Sequence, residues 1–433
     1  MTGFNRIYVF IAACIALYAF PQHVSALTGD DDTRNTRTAV YSPLIRTLSI
    51  STGAETDVSN AIIKLNSPER VTISFDELSE ERRYMCYRIE HCNMDWIPDG
   101  LPEQMYLNGF NRAEITDYSF SSATTVHYVN YRITIPSPDM EITASGNYLL
   151  TVYDEEQPDS TLLQVRFSMV EAGALISGEV SGITDIDYRK GHQQLNLCVD
   201  LQNLNLNNPL SEISTRIIQN GDYINTHILN RPLRITGSKL YYEHDPALIF
   251  KAGNEFRRFE TVSLRYPTMN ICSTSFTYPY YYTEICTDEP RSDKAYSYDR
   301  TQHGAFRVRN SDVSGDEHPD IDADYAVTKF TLQMPRLNGY DVFIDGDLNL
   351  NCPIEPMEYN YETGSYEQSL FLKQGSYNYR YVSHPVNSMT LNSDSSLIEG
   401  NFYQTSNRYT VLVYLRKPGD LYDRLVACAT IDT

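Results

Sequence analysis

The chain of 433 residues holds a single Trp, eight Cys and only 35 Lys and Arg against 56 Asp and Glu. The shortage of cations leaves a formal net charge of −21 at pH 7. Tight phosphate binding needs clustered Lys and Arg, so the acidity nearly removes nucleic acid as a partner and disfavours anionic membrane surfaces. No Cys-x-x-Cys spacing occurs, so zinc and thioredoxin-like chemistry have no support. There is no His-Glu-x-x-His, no Gly-x-Ser-x-Gly and no phosphate-cradling glycine loop, which removes the commonest hydrolase and nucleotide-binding signatures. Beyond residue 20, no apolar run approaches the ~20 residues of a spanning helix. What the sequence has in quantity is tyrosine, 34 Tyr against 16 Phe. Tyr favours strands and half-buried surfaces, where ring and hydroxyl are both satisfied.

Residues 1–26 read as a secretory signal. Arg6 gives a positive start, Ile7 to Phe20 is a continuous apolar stretch, and Val24-Ser25-Ala26 supplies small residues for cleavage. Ile11-Ala12-Ala13-Cys14 resembles a lipoprotein box, but the apolar run continues past Cys14, which favours cleavage after Ala26. Export places the chain where disulfides persist. The remaining cysteines are odd in number and scattered, at 86, 92, 198, 272, 286, 352 and 428, which is not a disulfide framework. Cys86 and Cys92 lie about 20 Å apart in one extended strand and cannot bridge there. Cys272 and Cys286 bracket an expected hairpin and are the favoured pair.

Period-two alternation dominates the rest. Val71, Ile73 and Phe75 alternate with polar residues, as do Leu195, Leu197, Val199 and Leu201. Leu163 to Met169 and Tyr409 to Leu415 repeat the pattern. Ser145-Gly146-Asn147, Asn220-Gly221-Asp222 and Asn338-Gly339 fall between runs, where turns are expected. The fold class is therefore all-β, with two to three consecutive β-sandwich, immunoglobulin-like units. The expected limits are a polar leader over 27–40, an N-terminal sandwich over 41–171 and a middle sandwich over 172–310. An acidic linker over 311–325 and a C-terminal sandwich over 326–433 complete the chain.

Four segments invite a functional reading. Asp320, Asp322 and Asp324 alternate near one another, but a calcium loop also needs a turn glycine and a closing glutamate. A solvated linker whose charge resists edge pairing is the stronger expectation. His91, Asn93, Asp95 and Trp96 follow the strand Tyr84–Glu90. They suggest either a polar site beside an aromatic platform or, more strongly, a capped turn whose Trp96 plugs the sandwich core. The run Tyr278-Pro279-Tyr280-Tyr281-Tyr282 is either an exposed partner hot spot or an ordinary strand with Tyr280 and Tyr282 inward. Asn254, Glu255 and Arg257, in Gly253-Asn254-Glu255-Phe256-Arg257-Arg258-Phe259-Glu260, pack opposite charges closely enough to fix a corner. No nucleophile or base stands nearby, so this segment reads as architecture. No cofactor and no metal is implied, and no small-molecule substrate is expected.

Several of these strings occur in an order that resembles the type IX secretion system plug protein family. They include Leu65-Asn66-Ser67-Pro68-Glu69-Arg70, His91-Cys92-Asn93-Met94-Asp95-Trp96 and Gly191-His192-Gln193-Gln194-Leu195. Gly253 to Arg257, Leu372-Lys373-Gln374-Gly375, Glu399-Gly400-Asn401-Phe402 and Tyr422-Asp423-Arg424-Leu425 continue it over nearly the whole exported chain. The resemblance implies a non-enzymatic periplasmic protein without catalytic residues. Its partner would be an outer-membrane translocon β-barrel, blocked at its periplasmic mouth when no substrate is in transit. The last unit also resembles an early-set, glycogen-binding-type sandwich at Tyr340 to Gly346 and Gly375 to Tyr381. Leu348-Asn349-Leu350-Asn351 stands where that module places a sugar-stacking aromatic. An exported carbohydrate-binding protein is therefore the alternative. A hydrolase using paired carboxylates has no selective support, since 56 acids make some close pair inevitable.

Overall fold

Period-two runs become strands wherever one face can be buried. The computed structural model describes residues 37–53, 61–202, 204–229, 231–313, 318–351, 354–386, 388 and 394–433. The expected signal segment, most of the leader and Cys352 lie outside them. The described residues are all-β, and the longest helical segment, Asp347–Asn351, has 5 residues. No helix among them is long and apolar enough to cross a membrane.

Three sandwiches account for six of the seven sheets among the described residues; the seventh is the two-stranded pair of Leu107–Gly109 and Met140–Ile142. In the first, Gly146–Asp154 lies between Met85–Cys92 and Gln157–Val170. The sheet that faces it has Val71–Glu77 between Ile45–Ser51 and Val129–Ile135. Val71, Ile73, Phe75, Leu150 and Phe167 meet between the two sheets. The third sandwich sets Gly375–Pro385, paired with Arg257–Glu260 and Tyr340–Asp345, against Tyr325–Gln333 and Ser365–Lys373. Tyr377, Tyr379 and Tyr381 fill its core.

The middle sandwich departs from the expected limits. One of its sheets is built on His192–Asp200, but the other pairs Ile213–Gln219 with Arg408–Leu415, which in turn pairs with Arg424–Asp432. The C-terminal strands that the sequence reading assigned to the last unit thus complete the middle core, where Tyr409, Val411 and Val413 meet Leu195 and Leu197. The third sandwich is inserted between the two halves of the second. Alternation gives Tyr409 to Leu415 a buried face but does not say which sheet supplies its neighbours.

The acidic stretch also differs from a loose linker. Arg132 Nη2 donates to Asp320 Oδ2 at 2.8 Å, and Asp324 accepts from the backbone N–H groups of Thr125 at 2.6 Å and Val126 at 3.2 Å. Asp312 accepts from Ser263 Oγ at 2.6 Å. These carboxylates dock the segment instead of solvating it. Among the described residues no three His, Cys, Asp or Glu side chains are grouped to hold a metal ion.

Candidate functional site

The aromatic run forms half of a hairpin, Ile271–Thr277 paired with Tyr280–Ile285 around Tyr278-Pro279. The expected disulfide is present, joining Cys272 to Cys286 across it with 4.9 Å between Cα atoms. Tyr280, half-buried, packs edge-on against Phe371 of the same sheet. Tyr281 lies 4.6 Å from Phe276, centroid to centroid, and Tyr282 is half-buried opposite Ser275. Tyr278 at the tip is 83% exposed and Phe276 48%. The tip therefore offers solvent two large rings on a covalently braced support. Ile271–Thr277 is the last strand of its sheet, and only Tyr280–Ile285 pairs with it among the described residues.

His91, Asn93, Asp95 and Trp96 are gathered at the joint between the first and middle sandwiches. His91 Nδ1 lies 2.7 Å from Asp99 Oδ2, and its ring sits edge-on between Tyr148 and Tyr422. Gly146 makes room for it: its φ is +133°, and a Cβ there would fall 2.5 Å from His91 Nε2. Asn93 Oδ1 accepts from the Asp95 and Ile97 backbone, capping the turn as expected. The expectation that Trp96 plugs the sandwich core is corrected. That turn, with Trp96 at φ +64°, swings the indole out of the first core. It packs edge-on against Tyr223 of the middle sandwich, beneath the Arg166 guanidinium 4.7 Å away. Burial lowers Arg166 to about 10. Asp95 reaches Arg216 at 3.0 Å, and Met94 N–H donates to Asp423 Oδ2 at 2.9 Å. The cluster is a fastener between modules.

Asn254, Glu255 and Arg257 serve the third sandwich, through partners that sequence proximity does not suggest. Arg257 turns away from Glu255 and Glu260. Its Nε donates to Glu399 Oε1 at 3.0 Å and Nη1 to Asp288 Oδ1 at 2.7 Å. Arg291 Nε donates to Glu399 Oε2 at 2.7 Å, and the Tyr381 backbone N–H to Oε1 at 2.9 Å. Asn254 Nδ2 donates to the Glu399 carbonyl, while Glu255 Oε1 accepts from Tyr296 Oη and the Ser406 N–H. Burial alone would raise the Glu399 carboxyl, but the two guanidiniums hold it below its ordinary value. Tyr379 and Tyr381 both donate to Asp288 Oδ2; burial pushes both phenols well up, followed by the Asp288 carboxylate for Tyr379 and by Tyr379 and then that carboxylate for Tyr381.

A second buried network, between the first and third sandwiches, has no local signature in the sequence. Lys373 Nζ donates to Asp76 Oδ2 and to the Asp320 carbonyl, each at 2.6 Å, with Nζ 4.0 Å above the Tyr128 ring. Tyr325 Oη donates to Asp76 Oδ2 at 2.7 Å and Asn130 Nδ2 to Oδ1 at 2.8 Å. Both ionic side chains are 0% exposed. Burial pushes the Asp76 carboxyl up and the Lys373 ammonium down. Leu372-Lys373-Gln374-Gly375 marked the segment, but nothing in it named Asp76, 297 positions away.

Comparison with known proteins agrees with this architecture. Residues 45–171 match the family described as type 9 secretion system plug protein 1st domain. The chain is similar to the crystal structure of a hypothetical protein from Parabacteroides merdae, with 37% identity and a TM-score of 0.87. The alignment covers 92% of this chain and 99% of that one. An alignment to a DNA-bound alkylpurine DNA glycosylase from Pseudomonas fluorescens has 10% identity and a TM-score of 0.18. It covers 29% of each chain and carries no argument. No curated protein matches the chain. The match over residues 45–171, the first sandwich, places the chain in the type 9 secretion system plug protein family.

Proposed function

We propose that the chain is a non-enzymatic, periplasmic component that fills the periplasmic opening of the outer-membrane translocon barrel when no substrate is in transit. The observation that carries this reading is the cross-bracing of a family member's three sandwiches into one unit. The middle sandwich is closed by strands from the far end of the chain, and the first is bound to the third by the buried Asp76–Lys373 pair. A plug must resist deformation while making a modest, reversible interface. The described residues from 37 onward form one compact unit, which suits the first requirement. The braced hairpin tip, with Phe276 and Tyr278 exposed, suits the second. The carbohydrate-binding alternative gains no support. Leu348 is fully buried in the third core, and Leu350 packs against the first, so neither stands ready to meet a sugar.

A strain lacking the gene is expected to keep secreting cargo but to admit a large antibiotic that the intact outer membrane excludes. Unchanged permeability would count decisively against a plug. At the residue level, Tyr278→Ala is expected to leave unfolding within about 0.5 kcal/mol of the parent, since the ring is on the surface. Binding to the purified barrel in detergent should weaken about tenfold or more, as for a hot-spot aromatic. Titration of parent and variant against the immobilised barrel measures both the affinity and the contrast.

A further inference from the structure

Edge strands of natural sheets are normally short, charged, bulged or covered, because their open backbone groups recruit other strands. Several edges here obey that rule. Glu358–Asn360, at the opposite side of the same sheet, has 3 residues and carries Glu358. Asp117–Phe120 has 4 residues and starts with a carboxylate, and Ile45–Ser51 carries Arg46 and an irregular register. Ile271–Thr277 obeys it only at its start, where the register shifts between Ile271 and Ser273; from Ser273 to the tip the pairing is regular. Its 7 residues, Ile-Cys-Ser-Thr-Ser-Phe-Thr, include no charge and no proline, and five of them are exposed. The Cys272–Cys286 bond ties it to its one neighbour, so it stays ordered without a second. The two-residue turn closes on the Thr277–Tyr280 pair, and alternation then aims the N–H and C=O groups of Thr274 and Phe276 outward.

We propose that Ile271–Thr277 is a β-augmentation edge that accepts an extended, acid-poor segment of the translocon barrel as an added strand. The inference rests on the plug reading and names how the contact is made. Only a strand presents the alternating donors and acceptors that an open edge requires. Phe276 and Tyr278 extend the contact past the backbone by giving the incoming side chains rings to pack on. Charge selects the partner. With a net charge of −21, the chain repels a second copy of itself and any acidic strand, while the uncharged edge imposes no penalty on a neutral or basic one.

The test is amide hydrogen exchange on the full exported chain, alone and saturated with the purified barrel in detergent micelles. Exchange at Thr274 and Phe276 is expected to slow at least tenfold in the complex, and Thr274→Pro, which removes one outward N–H, to weaken binding at least tenfold. The wild-type exchange result stands even where the proline variant fails to fold. Binding with unchanged exchange at these two amides overturns the added strand and leaves the plug reading intact. Failure of the wild-type chain to bind the barrel overturns the plug reading itself. Protection that develops without barrel, together with sedimentation as a dimer, also overturns the proposal, because the occupant is then a second copy.

Discussion

Lys373→Met is expected to destabilise the folded unit by about 3–5 kcal/mol at neutral pH, because it leaves a carboxylate sealed in the protein without its cation. Asp76 is fully buried, and its remaining partners, Tyr325 Oη and Asn130 Nδ2, are neutral donors. Removing the ammonium therefore strands the charge and also takes the cation from above the Tyr128 ring. The pH dependence has a definite sign. Burial already raises Asp76 in the folded state, and loss of Lys373 raises it further. The folded variant then holds its proton more tightly than the unfolded chain does. Its stability must fall as pH rises above the ordinary aspartate value of 3.8. Denaturant titrations of parent and variant at several pH values should show the deficit widening upward from there. The double variant Asp76→Asn with Lys373→Met should recover most of the loss, since the amide oxygen can still accept a hydrogen bond while no charge is buried. A single variant indistinguishable from the parent at pH 7 would mean that the pair does not hold the first sandwich to the third.

Glu399→Gln should produce a comparable loss, about 3–5 kcal/mol at neutral pH, for the mirror-image reason. Two guanidiniums, Arg257 and Arg291, converge on this one buried carboxylate, and the amide leaves both without their shared anion. Here the pH trend runs the other way. The folded Glu399 carboxyl lies below its ordinary value of 4.5, so its contribution is complete above that value and declines as pH falls through the folded one. Parent and variant stability curves should therefore be furthest apart at neutral pH and converge in acid. Parallel curves across that range would show that the charge of Glu399 is not what the arginines require. Because Tyr381 N–H donates to the same carboxylate, the variant is also expected to loosen the Gly375–Pro385 strand. Faster amide exchange along that strand would report it.

Both networks expose the limit of reading this chain linearly. The Val71 to Phe75 and Tyr409 to Leu415 alternations declared their strands openly, as did the Cys272 and Cys286 spacing around the hairpin. The resemblance carried by strings such as His91 to Trp96 pointed to the correct family. Yet the same strings misled about contacts. Trp96 had the composition of a core plug and became a fastener to Tyr223, because one left-handed residue redirects the chain. Arg257 stood near Glu255 and Glu260 but found Glu399, since Glu260, three residues along the strand, points to the opposite face and Glu255 accepts from Tyr296 Oη and the Ser406 N–H instead. The acidic stretch read as solvated because its anchors, Arg132 and the Thr125 amide, lie in another module.

Strand identity, turn position and the sign of the surface charge follow from residue order alone, because side-chain periodicity and backbone sterics act over a few residues. Which strands became neighbours, which acid met which base, and which edge was left open emerged only on folding. Backbone hydrogen bonds are blind to side-chain identity, and 56 carboxylates offer far more pairings than Arg and Lys can use. Burial in three packed cores selects among them.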